Sequence, residues 1–395
     1  MGLLIAKYTS RLGVTYFVAA WTTLAMLNAG CASLKLDRPL RVGKTDWPTF
    51  ARMGSRINAT TESIIPPLTL DWEYDITGGI GNGSPLIVDS LLIIGNLRGE
   101  LYAINAYTGK RRGWVNLGGA IQGSPVVDGS TVIVPSSNSR QSLIAYNLFE
   151  GKLTWEREYG DIEVSPLLLD QKIYVGNTQG VFYCVDRASG EMVWKYEILE
   201  NTKLKGIRSS PASEGKAVIF GAEDGNVYAL DAETGKLRWR FQTSASIVAS
   251  PAVLDGSVYI GNLEGTFYAL DLMTGNPKWM FSAGTSIYAS PSLGNGLVIF
   301  GTTGGIMFAL NVVDGSSAWE SNVGSVVNSG AVLSSDLIYV GTLKEYLYAI
   351  RITDGSIVMK LEVPGRIKTS AAVAKGRLFI ATDEQLVLAY RGSDL

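Results

Sequence analysis

Eight short motifs spaced by about 40 residues restrict the fold of this sequence more than any other feature. Ser-Pro pairs begin at positions 84, 124, 165, 210, 250 and 290, and degenerate copies follow at Ser329-Gly330 and Ser370-Ala371. The intervals between them are 40, 41, 45, 40, 40, 39 and 41 residues. Repetition at such a period is typical of arrays in which each repeat is one supersecondary unit. The sequence therefore predicts eight related units.

Two further markers keep the same spacing. Glycines end short β-branched runs in most units, at Gly95, Gly176, Gly221, Gly261, Gly301 and Gly341. Tryptophans recur later in the unit, at Trp114, Trp155, Trp194, Trp239, Trp279 and Trp319. One tryptophan per unit on an outer strand indicates packing between units rather than a stacking platform for a ligand.

The fourth unit shows how each repeat folds. Residues 217–220 form a continuous apolar run, which suits a strand covered on both faces. The stretch from Asp231 to Gly235 begins with Asp and ends with Gly, as a hairpin turn requires, and residues 236–241 form an outer strand. Four-stranded units repeated in this way predict an all-β, eight-bladed β-propeller of four-stranded antiparallel blades.

The two ends of the repeat array predict how the ring closes. The last unit ends at Arg391 without a tryptophan strand of its own, whereas a strand containing Trp72 precedes the first unit. We therefore expect residues 68–74 to complete the eighth blade beside residues 377–390, because this pairing removes two exposed sheet edges.

The N-terminus has the features of an export signal. Lys7 and Arg11 precede an apolar stretch from Leu12 to Leu27, and Ala29-Gly30-Cys31 resembles the lipobox of bacterial lipoproteins. We expect residues 1–30 to be a lipoprotein signal peptide, Cys31 to carry the lipid, residues 31–45 to form a tether and residues 46–395 to form the propeller. An uncleaved membrane anchor and an ordinary cleaved signal are the alternatives.

Composition excludes several classes of chemistry. The chain has no histidine, so histidine general bases and imidazole metal sites are absent. Its 34 basic and 36 acidic residues give no charge excess that would indicate a nucleic-acid partner. The only cysteines are Cys31 and Cys184, and Cys184 occupies a slot that holds alanine in the other units. We expect Cys184 to be a buried, inert thiol.

The repeat as a whole resembles a known family. Its pattern of Ser-Pro, Gly-Asn or Gly-Thr, Tyr-Ala-Leu-Asp, Thr-Gly-Lys and Trp is similar to the PQQ-type propeller repeat, and Asp46-Trp47-Pro48-Thr49-Phe50 is similar to a lead-in found in exported members. The resemblance covers residues 46–391. The family includes the outer-membrane assembly lipoprotein BamB and the quinoprotein dehydrogenases, which bind PQQ and calcium.

The loop before each first strand contains a position that the repeat does not dictate. Two residues before each serine the sequence has Asn82, Gln122, Glu163, Arg208, Val248, Tyr288, Val327 and Lys368. The position divides the ring into a polar arc from Lys368 through Arg208 and a mostly apolar arc from Val248 through Val327. We hypothesise an amphipathic binding surface at the channel mouth, with Glu163, Arg208, Tyr288 and Lys368 as partner-binding residues. The alternative is a set of solvated loop residues without a ligand.

The long interval of 45 residues suggests a second contact. Leu204-Lys205-Gly206 resembles the Leu-Arg-Gly of a BamB loop that contacts the barrel-insertion protein BamA. A second, acidic BamB contact would fall at Ser246 and Val248, where this chain has no acid.

The resemblance implies a non-catalytic periplasmic scaffold, lipid-anchored to the outer membrane, that assists insertion of β-barrel proteins. Its expected partner is a BamA-like protein or another envelope protein, with no nucleic acid, catalytic residue, cofactor or metal. The alternatives are an envelope lipoprotein with a different protein or glycan partner and a PQQ-dependent dehydrogenase, although this chain has no adjacent cysteine pair.

Overall fold

The computed structural model describes residues 34–199 and 205–393, so Cys31, Leu204 and the apolar N-terminal stretch lie outside the described residues. These two ranges contain 33 strands, β1 to β33, and no helix. The strands form eight sheets around one central channel, which confirms the prediction of an eight-bladed propeller.

Two short N-terminal strands precede the repeats, and blades 1 to 4 follow in chain order. The N-terminal strands are β1 (Ala59–Thr60) and β2 (Thr69–Asp75). Blade 1 comprises β3 (Leu86–Val88), β4 (Leu91–Gly95), β5 (Glu100–Asn105) and β6 (Arg111–Asn116). Blade 2 comprises β7 (Val126–Asp128), β8 (Thr131–Pro135), β9 (Leu143–Asn147) and β10 (Lys152–Arg157). Blade 3 comprises β11 (Leu167–Leu169), β12 (Lys172–Gly176), β13 (Val181–Asp186) and β14 (Met192–Glu197). Blade 4 comprises β15 (Ala212–Glu214), β16 (Ala217–Gly221), β17 (Asn226–Asp231) and β18 (Leu237–Gln242).

Blades 5 to 8 continue the same pattern. Blade 5 comprises β19 (Ala252–Leu254), β20 (Ser257–Gly261), β21 (Thr266–Asp271) and β22 (Pro277–Ser282). Blade 6 comprises β23 (Ser292–Gly294), β24 (Leu297–Gly301), β25 (Ile306–Asn311) and β26 (Ser317–Asn322). Blade 7 comprises β27 (Val332–Ser334), β28 (Leu337–Gly341), β29 (Tyr346–Arg351) and β30 (Ile357–Glu362). Blade 8 comprises β31 (Ala372–Ala374), β32 (Arg377–Ala381), β33 (Leu386–Arg391) and β2.

Each blade is an antiparallel meander whose first strand borders the channel and whose fourth lies at the rim. Because the strands alternate in direction, the turns joining first to second and third to fourth strands share one face, which we call the lower face. The turns joining second to third strands and the connections between blades share the opposite, upper face.

The ring closes as expected. Strand β2 pairs antiparallel with β33 and places Trp72 opposite Ala389, the position at which other blades hold their tryptophan opposite a small residue. The strand runs from Thr69 to Asp75, one residue later than the predicted range of 68–74.

The seams between blades explain the recurring tryptophans. In six seams the indole nitrogen donates a hydrogen bond to a carbonyl in the third-to-fourth-strand turn of the next blade, and the ring packs on that turn's glycine. Trp239, for example, donates to Leu272 O at 2.8 Å and covers Gly275, whose positive φ of 73° completes the turn. The interpretation as packing residues between blades is confirmed for Trp155, Trp194, Trp239, Trp279 and Trp319.

The seam between blades 1 and 2 departs from this pattern. Trp114 is one residue out of register, opposite Tyr102, and Gly113 occupies the slot. The N-terminal tether fills the space instead, since a Cβ on Gly113 would lie 2.8 Å from Leu34 Cδ1. Leu34 is fully buried, and Leu36 N donates to Leu148 O at 2.7 Å, the bond that tryptophan makes elsewhere.

Residues 46–60 enter the channel and fill its lower end. Their carbonyls accept hydrogen bonds from first-strand amides of six blades, as in Val127 N to Pro48 O at 2.7 Å and Val253 N to Ser55 O at 2.9 Å. The segment ends in β1, which pairs parallel with β27 and gives blade 7 a fifth strand. We call residues 46–60 the plug. Sequence reasoning assigned these residues to the propeller but did not predict the plug.

Candidate binding site at the channel mouth

The upper end of the channel is a blind cup of about 290 Å³. Its wall is built by the loops that precede the first strands, and Phe50 of the plug lies at its base. Polar and apolar side chains both line it, among them Asn82, Glu163, Arg208, Val248, Tyr288 and Lys368.

A chain of serines explains the Ser-Pro motif below this wall. The backbone N–H of each serine donates to the serine hydroxyl oxygen of the next blade, from Ser84 to Ser124 at 2.7 Å and onward to Ser290 at 2.7–3.1 Å. Since these bonds link consecutive blades at the channel, they fix the loops that carry the variable residues. The motif therefore has a structural duty beneath the cup.

In the seventh unit, the predicted alignment on Ser329 is off by one residue. The structural equivalent of Ser290 is Gly330, because Val332 and Ser292 hold equivalent first-strand positions. Val327 is therefore a core residue, fully buried with its Cγ1 2.3 Å from where a Cβ on Gly301 would lie. The expectation that Val327 faces the channel was wrong. Asn328 lines the cup instead, so the apolar arc is shorter than expected.

The structure brings together four of the predicted residues, Glu163, Arg208, Tyr288 and Lys368, around the cup. Tyr288 is 42% exposed. Gln122 turns away and donates to Ser137 Oγ at 3.1 Å. The wall therefore offers one large exposed aromatic ring between charged and amide groups.

The charges of the cup are already paired. Arg208 bonds to Glu163, and its Nε donates to Glu223 Oε1 at 2.9 Å. On the other side Asp383 lies 3.3 Å from Lys368 Nζ and 2.6 Å from Arg366 Nε. Partial burial opposes ionisation of Asp383, but hydrogen bonds from Arg366 and Lys368 outweigh it and lower its pKa. Such paired charges hold their side chains in fixed positions.

The base of the cup depends on Arg56, which sequence reasoning missed. Its fully buried guanidinium donates to the carbonyls of Pro211 and Pro166 at 3.0 and 2.9 Å and to Thr49 Oγ1 at 2.8 Å. It also lies 5.4 Å from the centre of the Phe50 ring. No carboxylate pairs with it among the described residues, and burial lowers its pKa to about 9. Arg56 thus joins the plug to blades 3 and 4.

Three polar atoms at the cup have no hydrogen-bond partner within the described ranges. They are Ser84 Oγ, Asn328 Oδ1 and Ser329 Oγ. Asn328 and Ser329 line the cup directly, and Ser84 begins the serine chain beside them. Buried polar atoms usually have partners, so these three are exceptions among the described residues.

The predicted BamB-like loop is only partly described, because Leu204 lies outside the described residues. Gly206 O accepts from Glu223 N at 2.9 Å, and Glu223 in turn pairs with Arg208. Lys205 packs its side chain near Gly180. Ser246 donates to Glu223 O, while Val248 lines the cup. Lys205 and Gly206 therefore lie next to the polar side of the cup.

Cys184 is fully buried, as expected, and burial raises the pKa of its thiol to about 11. A thiol with such a pKa is a poor nucleophile.

The cup residues do not fit a quinone cofactor with calcium. Calcium needs several free oxygen ligands, whereas Glu163, Glu223 and Asp383 are each bound to arginine or lysine. Across residues 34–199 and 205–393, no group of three or more Cys, Asp or Glu side chains is arranged to hold a metal ion. In the same ranges the structure contains no helix that could cross a membrane.

Comparison with known proteins supports the assignment of the repeat to the PQQ type. A family model described as outer membrane protein assembly factor BamB matches residues 68–196, 198–329 and 315–395. BamB of Legionella pneumophila (strain Paris) is 27% identical over 178 residues, which cover 43% of this chain and 45% of that protein. Lupanine 17-hydroxylase (cytochrome c) from a Pseudomonas species is 27% identical over 247 residues, which cover 59% of this chain and 30% of that enzyme.

Among solved structures, BamB from Moraxella catarrhalis superimposes with a TM-score of 0.70 at 22% identity, covering 82% of this chain and 99% of that one. This likeness shows the fold. The chain spans less than half the length of the two curated relatives, one an assembly factor and one an enzyme. Because the family model matches most of the sequence, the chain belongs to the PQQ-repeat family described as outer membrane protein assembly factor BamB.

Proposed function

We propose that the chain is a non-catalytic scaffold of BamB type, lipid-anchored through Cys31 at the periplasmic face of the outer membrane. In this proposal residues 1–30 are removed as a signal peptide and residues 31–45 tether the propeller. Its role is to assist insertion of β-barrel proteins by contact with a BamA-like protein. Family membership and the lipobox-like sequence before Cys31 support this assignment.

The cup is the observation that carries the proposal. It is blind, and its loops are fixed by the serine chain and by paired charges, so it presents a preformed surface. Preformed surfaces bind with a low cost in conformational entropy. A protein partner needs an apolar anchor beside hydrogen-bonding groups, and the cup supplies Tyr288 and Val248 beside Lys368 and Asn328.

The tether and the cup lie on opposite faces of the propeller. The tether contacts lower-face turns, through Leu36 at Leu148 and through Leu40 N at Ser130 Oγ, 3.1 Å apart. The cup opens on the opposite face. Partner binding at the cup, extended by Leu204, Lys205 and Gly206, therefore leaves the tether free of the partner.

Affinity purification of the tagged full chain from cell envelopes tests the proposal. We expect a BamA-like protein to co-purify, and Y288A combined with K368A to reduce its recovery at least tenfold, as removal of an interface anchor worth ~2 kcal/mol would. M273A combined with K236A is the matched control, since it removes the same classes of side chain from the lower face. Both variants should keep the thermal unfolding midpoint of the unmodified chain.

The outcomes separate the alternatives. Recovery of a different envelope protein or a glycan that depends on Tyr288 and Lys368 would support the cup and reject the BamA-like partner. Equal recovery of the BamA-like protein with both double variants would reject the cup. A stoichiometric quinone absorbance after addition of PQQ and Ca²⁺ would reject the non-catalytic assignment.

A further inference from the structure

Basic side chains crowd the lower face where the tether meets blades 1 and 2. They come from three separate parts of the chain, the tether, strand β6 with the residue before it, and strand β10, and all are exposed. We call this set the tether surface: Lys35, Arg38, Arg41, Lys44, Lys110, Arg111, Arg112 and Lys152.

Only part of this charge is neutralised. Arg38 pairs with Asp89 at 2.7 Å, Arg112 with Asp37 at 2.9 Å and Lys152 with Glu150 at 2.9 Å. The other five cations make no ion pair within the described ranges: Lys35, Arg41, Lys44, Lys110 and Arg111. The tether surface therefore carries a net positive charge, although the whole chain is slightly acidic.

The neighbouring part of the same face carries more acidic residues. The third-to-fourth-strand turns of blades 3, 4 and 5 begin with Asp186, Asp231 and Asp271, whereas those of blades 1 and 2 begin with Asn105 and Asn147. The turns of blades 1 and 2 thus lack the carboxylate that the turns of blades 3, 4 and 5 supply, so the cations beside them are less compensated.

Exposed apolar side chains lie among these cations. Tyr107 and Phe149 occupy turn tips of blades 1 and 2 and are 44% and 40% exposed. Val42 in the tether and Leu153 on β10 are each 46% exposed. Aromatic rings interleaved with lysine and arginine are the composition that favours the interface of a lipid bilayer.

The first described residues of the tether lie beside this surface. Leu34 is buried between blades 1 and 2, where Tyr146 Oη donates to Leu34 O at 2.9 Å. Cys31 precedes Leu34 by three residues, and three residues of extended chain reach about 11 Å at most. A lipid on Cys31 would bring the bilayer within that distance of the seam.

We propose that the tether surface docks directly on an anionic lipid bilayer. This inference rests on the anchor at Cys31 in the proposed function and adds the orientation of the propeller: blades 1 and 2 face the membrane by their lower turns, and the cup faces away. Lysine and arginine attract anionic headgroups within a Debye length of the surface, which is about 8 Å at physiological salt.

Hydrogen exchange on the full chain, reconstituted in vesicles, tests the orientation. Vesicles of phosphatidylcholine are compared with vesicles of phosphatidylcholine mixed with phosphatidylglycerol. We expect residues 105–113 and 147–153 to exchange several-fold more slowly on the anionic vesicles, and residues 231–237 to exchange equally on both. High salt should remove the difference.

Charge reversal provides the matched control. R41E combined with K110E and R111E should abolish the slower exchange, because these cations have no ion pair to lose. K216E combined with K236E and R351E changes the net charge by the same amount, but on the lower face of blades 4 and 7. This control should retain the slower exchange on anionic vesicles. Equal exchange on both vesicle types, or equal loss with both triple variants, would overturn the proposal.

Flotation of the same samples separates this inference from the anchor. A chain that floats with both vesicle types and shows no lipid-dependent exchange retains the anchor and loses the docking surface. A chain that floats only with anionic vesicles contradicts the anchor and supports the surface. A chain that floats with neither contradicts both.

Discussion

The seam between blades 4 and 5 and the seam between blades 1 and 2 solve one packing problem with different parts of the chain. In the first, Trp239 of the blade itself covers Gly275 and bonds to Leu272 O. In the second, Leu34 and Leu36 of the tether take over the covering and the hydrogen bond. A tryptophan thus covers the turn of the next blade in six of the eight seams, whereas the seam between blades 1 and 2 depends on a segment outside the repeat.

This difference shows that the tether is part of the folded ring. A plain linker would leave the seam with a slot at Gly113 and an unbonded Leu148 carbonyl. Leu34 fills the slot, and Leu36 N donates to the Leu148 carbonyl. The path of the chain toward the proposed anchor is therefore fixed by the same contacts that complete the blade pair.

The largest expected effect comes from breaking a regular seam. W239A removes a nearly buried indole and its hydrogen bond, so we expect a loss of about 3–5 kcal/mol in the free energy of unfolding. Equilibrium unfolding in urea measures it. W114A is the control, since Trp114 lies outside the slot and is only partly buried. An equal loss for both variants would contradict the assigned role of the slot.

Breaking the seam between blades 1 and 2 should cost less free energy of unfolding, although the loss remains large. L34A removes a fully buried side chain that the repeat cannot replace, and we expect a loss of about 2–4 kcal/mol. Urea unfolding of L153A, an exposed leucine on the same blade pair, should differ from the unmodified chain by no more than ~0.5 kcal/mol. If L34A were as mild as L153A, the tether would not complete the seam.

Acid should distinguish the turn of blade 4 from the equivalent turn of blade 2 by a smaller amount. A hydrogen bond from Arg238 lowers the pKa of Asp231 to about 2, whereas the equivalent turn in blade 2 has the uncharged Asn147. A lowered pKa in the folded state stabilises the fold above the unfolded pKa of about 4, and this stabilisation disappears as the pH falls toward 2.

D231N should therefore reduce the acid sensitivity of the unfolding midpoint between pH 4 and pH 2. The effect should be about 1 kcal/mol or less, because the Asp231 side chain lies partly in solvent. The measurement is thermal unfolding at several pH values. An N147D variant is the complement and should gain little, because no arginine is placed to pair with it. Unchanged acid sensitivity in D231N would contradict this assignment.

The smallest effect is an expected absence of reaction. Cys184 lies in the slot beneath Trp194 in blade 3, and its thiol has a pKa of about 11. We expect no alkylation of Cys184 at neutral pH in the folded chain, as measured by mass spectrometry of the peptide that contains it. W194A should make the thiol reactive because the seam opens, whereas L34A should not. Reactivity in both would indicate that one seam controls the other.

The repetitive part of the molecule was predictable, because most units contain the same serine, glycine and tryptophan markers at the same spacing. The eight blades, the closing strand near Trp72 and four cup residues follow from markers counted along the chain. Val327 was misplaced because the register was counted on Ser329, and the buried aliphatic position, which packs against Gly301, is the better marker.

The non-repetitive part was not predictable from pattern. Leu34 fills the slot at Gly113, 79 residues later in the chain, and Arg56 bonds to Pro211 O, 155 residues away. Neither residue has a counterpart in another unit against which its role could be compared. A signal did exist for Leu34, since Gly113 breaks the tryptophan register in the first unit.

The plug has a consequence for the order in which the molecule can be built. Trp47 pairs with Ile87, which is close to it in sequence, but its indole donates to Val373 O, 326 residues later. Strand β2 likewise pairs with β33, the last strand of the chain to be made. Contacts of such sequence separation form slowly. The plug and β2 are thus made early but fixed only when blade 8 is complete, and until then β2 has an unpaired edge at Thr69–Asp75. A chain with this architecture carries an exposed strand edge through most of its synthesis, and a chaperone would protect it most during that time.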